Sequence, residues 1–323
     1  MTVASLDWVE RRRLGQRNVA VTGLGLGCAP IGNLFTAVSD EAAQATVDAA
    51  WDSGIRYFDT APLYGHGLSE RRLGLALRDR PRDDYVLSTK VGRLLRRPAA
   101  GKAHPTIFAG VGDVEPVFDF SRDGILRSIS ESLERLGLDR IDVVLVHDPD
   151  DFEPEVMRSA FPALLQLRDE GVVGAVGCGM NQAEMLERFV TNADLDCVLL
   201  AGRYSLLDRT GADRLFPLCA ERGVGVIVGG VFNSGVLAEP DGNPTYDYLA
   251  APPPVLERAR RLGSVCRAHD VALPAAALQF AMRHGAVTTV LVGARSADEI
   301  ELDVGYANAT IPADVWSELD AVE

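Results

Sequence analysis

Four ionisable side chains lie at or just after the ends of three short apolar runs: Asp59, Tyr64, Lys90 and His147. Such a set can perform acid–base chemistry on an alcohol or a carbonyl. A nearby ammonium favours a phenolate and lowers the pKa of tyrosine from about 10 toward the working pH. A carboxylate keeps the lysine charged and oriented, and a histidine can donate a hydrogen bond to the substrate oxygen. None of these groups is a redox centre, so hydride would have to pass to or from a bound cofactor.

Each of the four residues also has an ordinary structural interpretation. Asp59 could cap a helix, Lys90 could be a surface residue, Tyr64 could pack a loop, and His147 could be a satisfied core histidine. Because all four occur at the ends of three consecutive strands, a shared catalytic role is favoured over four separate structural roles. Ionisable groups that follow apolar strands face a desolvated site, where pKa values shift.

The elements that must position these groups alternate between short apolar runs and longer helical patterns. Ser39 and Ser121 are predicted helix N-caps. The fully apolar strands are typical of a parallel sheet covered by helices, either an open doubly wound sheet or a closed (β/α)8 barrel. An unbroken count of eight strand-plus-helix units favours the barrel, whose chemistry lies at the carboxyl ends of its strands. The predicted strands are 24–27, 55–58, 85–89, 141–146, 172–177, 196–200, 224–228 and 287–292.

A chain of 323 residues is long enough for two domains, but no linker interrupts the alternation. The sequence therefore predicts one barrel domain over residues 1–323. Two long loops, 92–120 and 239–254, and a C-terminal tail, 309–323, fall outside the regular pattern. Long loops in a compact domain are usually functional, so we expect these three segments to decide which substrate is accepted. No pattern in the sequence indicates an oligomeric state.

Composition and missing motifs exclude several classes of function. A net charge of −14 disfavours nucleic acid and anionic membranes as partners. The sequence contains no run of about 18 apolar residues, the length that a membrane-spanning helix needs. Five cysteines without a C-x-x-C pair fit reduced thiols in the cytoplasm. No metal-ligand cluster is recognisable, so no metal is expected. The glycines of 23–27 do not match G-x-G-x-x-G; they fit a strand at a crowded barrel rim, or backbone contact with a ligand.

Three segments carry a family resemblance: FDTAPLYG at 58–65, STKVG at 88–92 and His147-Asp148. They resemble the active-site motifs of the aldo-keto reductases, and the resemblance extends from about residue 13 to 308. It implies a (β/α)8 barrel that binds an extended nicotinamide dinucleotide without a Rossmann domain. It also implies that Tyr64 is the acid–base residue, that Lys90 and Asp59 tune it, and that His147 orients the substrate oxygen.

The same resemblance implies a set of cofactor contacts after the later strands. Asn181 would bind the carboxamide, and Tyr204 would stack on the nicotinamide ring. Ala201 stands where many members of the family have a carboxamide-binding glutamine, which is a departure from the pattern. The segment after the seventh strand would hold the pyrophosphate with backbone N–H groups; its predicted binding residues are Phe232, Asn233, Ser234, Gly235 and Leu237. A simple turn is the alternative for 233–235.

The segment after the eighth strand bears on the choice between NAD and NADP. Relatives that prefer NADP typically carry a lysine and an arginine where this chain has Gly293 and Glu299. A carboxylate repels a 2′-phosphate and can accept a hydrogen bond from the ribose hydroxyl. The sequence therefore predicts NAD, although Arg295 could still meet the phosphate of NADP. Asp303 could contact the adenine amine, or could be a solvated helix carboxylate.

Segments such as HDPD at 147–150 and AGRYSLLD at 201–208 resemble a branch of the family that oxidises sugars. The implied function is oxidation of the C1 hydroxyl of an aldose of the L-fucose or D-threo type to a lactone. One alternative is a dehydrogenase or reductase of another small alcohol or aldehyde such as pyridoxal. An alternative of another class is a cofactor-sensing regulatory subunit, as in channel-associated relatives of this fold.

Overall fold

The computed structural model describes residues 7–98, 106–242 and 244–322. Within them, eight parallel strands follow one another around a closed barrel, and the last strand pairs with the first. The predicted (β/α)8 fold is therefore confirmed, and each predicted strand matches an observed one to within about three residues. The strands are β1 Leu24–Gly27, β2 Tyr57–Asp59, β3 Val86–Val91, β4 Val143–His147, β5 Ala175–Met180, β6 Cys197–Ala201, β7 Gly225–Gly229 and β8 Val287–Gly293.

Helices cover the outside of the barrel. The hydroxyls of Ser39 and Ser121 accept the backbone N–H groups of Ala42 and Gly124, so both predicted N-caps are confirmed. A π-helical stretch, Val156–Ala160, directly precedes the helix Phe161–Asp169. The main helices are α1 Asp40–Asp52, α2 Leu68–Leu77, α3 Arg122–Leu136, α4 Phe161–Asp169, α5 Ala183–Asn192, α6 Leu215–Arg222, α7 Pro253–Ala268, α8 Leu273–Met282, α9 Ala297–Asn308 and α10 Ala313–Asp320.

Apolar side chains fill the barrel below the strand ends. Tyr57, Leu145 and Ile227 belong to one buried cluster inside it. An antiparallel pair, Arg11–Arg13 with Ala20–Thr22, precedes β1, and Leu14 and Val21 from this segment join the same cluster. Apolar side chains of the described residues therefore occupy the interior at this level, and the opposite, carboxyl ends of the strands are the place for chemistry.

Both long loops contain small antiparallel pairs that the sequence pattern did not indicate. In the first loop Arg93–Arg96 pairs with Glu115–Phe118, and residues 99–105 lie outside the described residues. In the second loop Thr245–Tyr246 pairs with Leu249–Ala250. These strands are mostly half-buried or exposed, so they lack the alternation of apolar and polar residues on which strand prediction depends.

The C-terminal tail has a structural role in the described residues. Helix α10 packs against α7, and Trp316 is buried there beneath the guanidinium of Arg283. No described residue after 306 lines the main cavity, so the expectation that the tail selects substrates is not supported by its position. No helix among the described residues is long and apolar enough to cross a bilayer.

Candidate active site

Three consecutive strands bring the predicted catalytic residues together. Asp59 ends β2, Lys90 lies in β3, and His147 ends β4, while Tyr64 lies in the loop after β2. In the strand register, Asp59 lies opposite Ser88 of β3, and Lys90 lies opposite Leu145 of β4. Asp59, Lys90 and His147 are buried, and Tyr64 is partly exposed.

A buried ion pair forms the base of the site. The Nζ atom of Lys90 lies 2.6 Å from Oδ2 of Asp59 and donates to the carbonyl oxygen of Thr60 at 3.0 Å. The hydroxyl of Ser88 donates to Oδ1 of the same carboxylate at 2.7 Å. Burial alone would lower the pKa of Lys90, but Asp59 and Tyr64 outweigh it and raise that pKa. The ammonium is therefore charged at any working pH.

Tyr64 lies directly beside this ammonium. The Nζ atom of Lys90 is 4.6 Å from the centroid of the Tyr64 ring. Burial raises the pKa of the phenol, and Lys90 lowers it by a smaller amount, so the net shift is upward. The expectation that Lys90 brings this pKa down toward neutrality is thus wrong for the free protein. Lys90 instead reduces the free energy needed to ionise the buried phenol of Tyr64.

His147 completes the set, with its ring perpendicular to that of Tyr64 at a centroid distance of 5.8 Å. Burial, together with the positive charges of Arg93 and Lys90, lowers the pKa of His147 well below its usual value. The ring is therefore neutral, and its Nδ1 atom has no hydrogen-bond partner among the described residues. A neutral imidazole carries one N–H donor, as the role of orienting a substrate oxygen requires.

A single cavity of about 690 Å³ extends from these four residues to the amino-terminal end of α9. Ala201 also lines it, so a methyl group occupies the position where the family pattern has glutamine. Nine of the eleven predicted cofactor residues line this cavity: Asn181, Phe232, Asn233, Ser234, Gly235, Gly293, Arg295, Glu299 and Asp303.

The other two predicted cofactor residues, Tyr204 and Leu237, are buried away from the cavity. The ring of Tyr204 packs against Phe216 and Phe280, at centroid distances of 4.8 and 5.1 Å. The predicted stacking of Tyr204 on a nicotinamide ring therefore conflicts with its position. Leu237 is fully buried, and its N–H donates to the carbonyl of Phe232 at 3.1 Å.

The loop after β7 offers fewer free donors than the sequence suggested. The N–H groups of residues 233, 235, 236 and 237 are taken by carbonyl groups within residues 230–233. Among residues 232–237, all of which the structure describes, Phe232 and Ser234 are the two whose N–H groups have no partner. The side chain of Asn233 binds the carbonyl of Gly202 at 3.1 Å and the hydroxyl of Ser205, so it fixes the loop.

The far end of the cavity carries a compact charge cluster. Glu299 accepts the backbone N–H of Arg295 at 2.8 Å and pairs with its guanidinium at 3.1 Å. Burial, aided by the charge of Glu299, raises the pKa of Asp303 to about 7. Among the described residues, Arg295 is the one arginine that lines this end of the cavity, and its guanidinium is already paired with Glu299.

The structure also adds residues that the sequence prediction missed. Arg93 lines the cavity and pairs with Asp148, with Nη2 and Oδ2 2.9 Å apart. Tyr248 and Asp247 from the second long loop line it as well, and Asp247 is held by Arg203 through two contacts of 2.9 and 3.0 Å. The position of Arg93 just after β3 was the available signal, since strand ends form the site.

The described site agrees with a match to known proteins. Residues 23–323 match the model of the aldo/keto reductase family. The chain belongs to this family. Aldo/keto reductases are oxidoreductases that use NAD(P)(H), and this chain is an enzyme of that kind.

Named relatives of the aldo/keto reductase family cover nearly the whole chain. A D-threo-aldose 1-dehydrogenase of a Pseudomonas species is 46% identical over 93% of this chain and 94% of its own. A pyridoxal 4-dehydrogenase of Microbacterium luteolum is 41% identical over 96% of both chains. The holo form of an aldo-keto reductase from Bacillus halodurans superimposes with a TM-score of 0.76 at 28% identity, over 97% of this chain and 96% of that one.

The residues of the cavity fit a nicotinamide dinucleotide. The cavity is continuous from Tyr64 to Asp303, as an extended ligand requires. Two backbone N–H groups, of Phe232 and Ser234, are free to meet an anionic group along this path. Glu299 at the far end can accept a ribose hydroxyl.

Proposed function

We propose that this aldo/keto reductase oxidises the C1 hydroxyl of an aldose to a lactone and prefers NAD. The observation that supports this most is the Lys90 ammonium, held 2.6 Å from Asp59 and 4.6 Å from the Tyr64 ring centroid beside the cavity. This arrangement occurs in a chain 46% identical to a D-threo-aldose 1-dehydrogenase. An aldose of the L-fucose type is the proposed substrate.

Tyr64 is the proposed acid–base residue. In the oxidative direction its phenolate accepts the proton of the C1 hydroxyl, and Lys90 stabilises the negative charge on the phenolate oxygen. Neutral His147 donates a hydrogen bond to the substrate oxygen and so fixes the position of C1. The bound nicotinamide supplies the acceptor for the C1 hydride. Because burial raises the pKa of Tyr64, sugar oxidation should become faster as the pH rises.

The residues proposed to hold the cofactor are Asn181, Phe232, Ser234, Gly235, Arg295, Glu299 and Asp303. The preference for NAD follows from Glu299, which engages the Arg295 guanidinium that a 2′-phosphate would need. Comparing kcat/KM for NAD⁺ and NADP⁺ tests this preference. A tenfold preference for NADP⁺ would contradict it.

The proposed role of Tyr64 is tested by Tyr64→Phe, which removes only the hydroxyl. We expect turnover of L-fucose with NAD⁺ to fall at least about 100-fold, the usual contribution of a positioned acid–base group, while NAD⁺ binding is retained. Tyr204→Phe is the matched control, since Tyr204 is packed away from the cavity. Unchanged turnover in Tyr64→Phe would exclude the mechanism.

A pyridoxal-type aldehyde or alcohol is the second candidate substrate. The 41% identity to a pyridoxal 4-dehydrogenase favours it. Initial rates with NAD⁺ over L-fucose, D-arabinose, L-galactose, L-glucose and pyridoxal separate the two candidates. A pyridoxal rate far above every sugar rate would replace the first proposal by the second.

A further inference from the structure

A second ion pair lies at the same end of the barrel as the catalytic residues. Arg93 begins the hairpin strand Arg93–Arg96 and is directly opposite Phe118 in the register. Asp148 follows His147 immediately. The Nη2 atom of Arg93 lies 2.9 Å from Oδ2 of Asp148, and its guanidinium carbon lies 4.7 Å from the centroid of the Phe118 ring. Both charged residues line the cavity.

The surrounding structure holds both groups firmly. Asp148 has a φ of +40°, and its N–H donates to the carbonyl of Gly179 at 3.0 Å. Few residues other than glycine adopt such a φ, although aspartate and asparagine tolerate it better than most. This backbone keeps the carboxylate beside the catalytic centre, with Oδ2 3.4 Å from Nε2 of His147. The guanidinium is fixed between Phe118 and Asp148.

The pair also keeps unused hydrogen-bonding capacity. Nη1 of Arg93 and Oδ1 of Asp148 make no hydrogen bond to any described residue, and neither atom is fully buried. The pair therefore presents one charged donor and one charged acceptor side by side. Two neighbouring hydroxyl groups of a sugar match this pattern, since one can donate to the carboxylate while the other accepts from the guanidinium.

We propose that Arg93 and Asp148 bind hydroxyl groups of the substrate next to the reacting carbon and thereby select polyols over hydroxyl-free aldehydes. The inference rests on the proposed aldose dehydrogenase function and names the residues that recognise the sugar. Phe35 and Phe108, which line the same cavity, are suited to cover the C–H face of a pyranose. Tyr64 and His147 then act on C1 alone.

The test measures coupling between a substrate hydroxyl and the pair. Initial rates with NAD⁺ are compared for L-fucose and its 2-deoxy and 3-deoxy analogues in the wild type, Arg93→Met, Asp148→Gly and the double variant. Glycine suits position 148 because it tolerates the positive φ. Arg96→Lys is the matched control, since Arg96 lies in the same hairpin strand, pairs with Glu131 and does not line the cavity.

In the wild type and in Arg96→Lys, we expect loss of the contacted hydroxyl to lower kcat/KM roughly 10- to 100-fold, as for one hydrogen bond to a charged group. In the Arg93 and Asp148 variants the same loss should lower kcat/KM less than about threefold, because the bond is already gone. The double variant removes both charges, so no unpaired charge remains, and it is the variant to compare if a single variant unfolds. Thermal unfolding and NAD⁺ binding report the folded state.

Two failures are distinguishable. If the wild type oxidises no sugar of the panel, the proposed function falls and the inference with it. The inference alone is overturned in two cases, provided that the wild type oxidises L-fucose. In the first, removing the hydroxyl lowers kcat/KM by the same factor in the wild type and in all variants; in the second, it does not lower kcat/KM in the wild type. A merely structural pair would lower stability and would leave the hydroxyl discrimination unchanged.

Discussion

Replacing Lys90 by methionine removes the charge beside Tyr64 while keeping a side chain of similar length. The Nζ atom lies 4.6 Å from the ring centroid. At an effective dielectric constant of about 20, a unit charge at that distance stabilises the phenolate by roughly 3.6 kcal/mol. That energy corresponds to about 2.6 pKa units, which adds to the upward shift that burial already causes.

The expected consequence is a slower oxidation of the sugar. If the C1 proton has not yet moved to Tyr64 in the transition state, the phenolate charge is still present and kcat falls about 400-fold; if the proton is half transferred, kcat falls about 20-fold. Because the pKa of Tyr64 lies above the assay range in both proteins, the ratio of their kcat values should be constant from about pH 7 to pH 9. Initial rates of L-fucose oxidation at saturating NAD⁺ measure this ratio.

Stability must be separated from catalysis, because Lys90→Met leaves the buried Asp59 carboxylate without its partner. Breaking a buried pair costs about 3–5 kcal/mol of folding free energy. The double variant Asp59→Asn/Lys90→Met removes both charges, so it should regain most of that stability and remain slow. Arg135→Met is the matched control: it breaks the buried Arg135–Glu70 pair and should keep its kcat per folded molecule. A folded Lys90→Met protein with kcat within fivefold of the wild type would refute the reasoning.

Three further outcomes are expected. Glu299→Gln frees Arg295, so kcat/KM for NADP⁺ should rise about tenfold while that for NAD⁺ changes little, and steady-state rates with both cofactors measure this. The pKa of Asp303 is raised to about 7, so its carboxyl group favours the folded state only when protonated; Asp303→Asn should therefore gain stability over the wild type as the pH rises from about 4 to 7, by up to about 4 kcal/mol in denaturant unfolding. Gly74→Ala should lose about 1–3 kcal/mol of stability, because its Cβ would lie 1.8 Å from the carbonyl oxygen of Leu136, and a thermal midpoint equal to that of the wild type would contradict the helix packing.

The barrel and the residues of its candidate catalytic strand ends were predictable because both depend on local patterns. Short apolar runs mark the strands, and a polar residue directly after a run must lie at the edge of the sheet. Asp59, Lys90 and His147 could therefore be assigned to one end before the strand order was known. Tyr64 followed from its distance along the chain, since a loop of a few residues cannot carry it far from Asp59.

The direction of the Tyr64 pKa shift could not be predicted, because it depends on two opposing terms of unknown size. The sequence shows that a lysine is near, which lowers the pKa, but it does not show how much water the phenol loses. In the structure desolvation is the larger effect. The stacking prediction for Tyr204 was wrong for a similar reason. Its position after β6 suits a ligand contact, yet its ring packs against Phe216 and Phe280 in the core.

The site also depends on contacts that only barrel closure creates. Gly27 of β1 and Gly293 of β8 are neighbours in the register although 266 positions separate them. That pairing brings Arg295 and Glu299, which follow β8, to the same cavity as Asp59, which ends β2. Arg93 and Asp148 are likewise 55 residues apart and meet because β3 pairs with β4. A sequence pattern can name the residues at strand ends, but their partners are decided by the order in which the strands close, so charge pairing at the mouth is a property of topology.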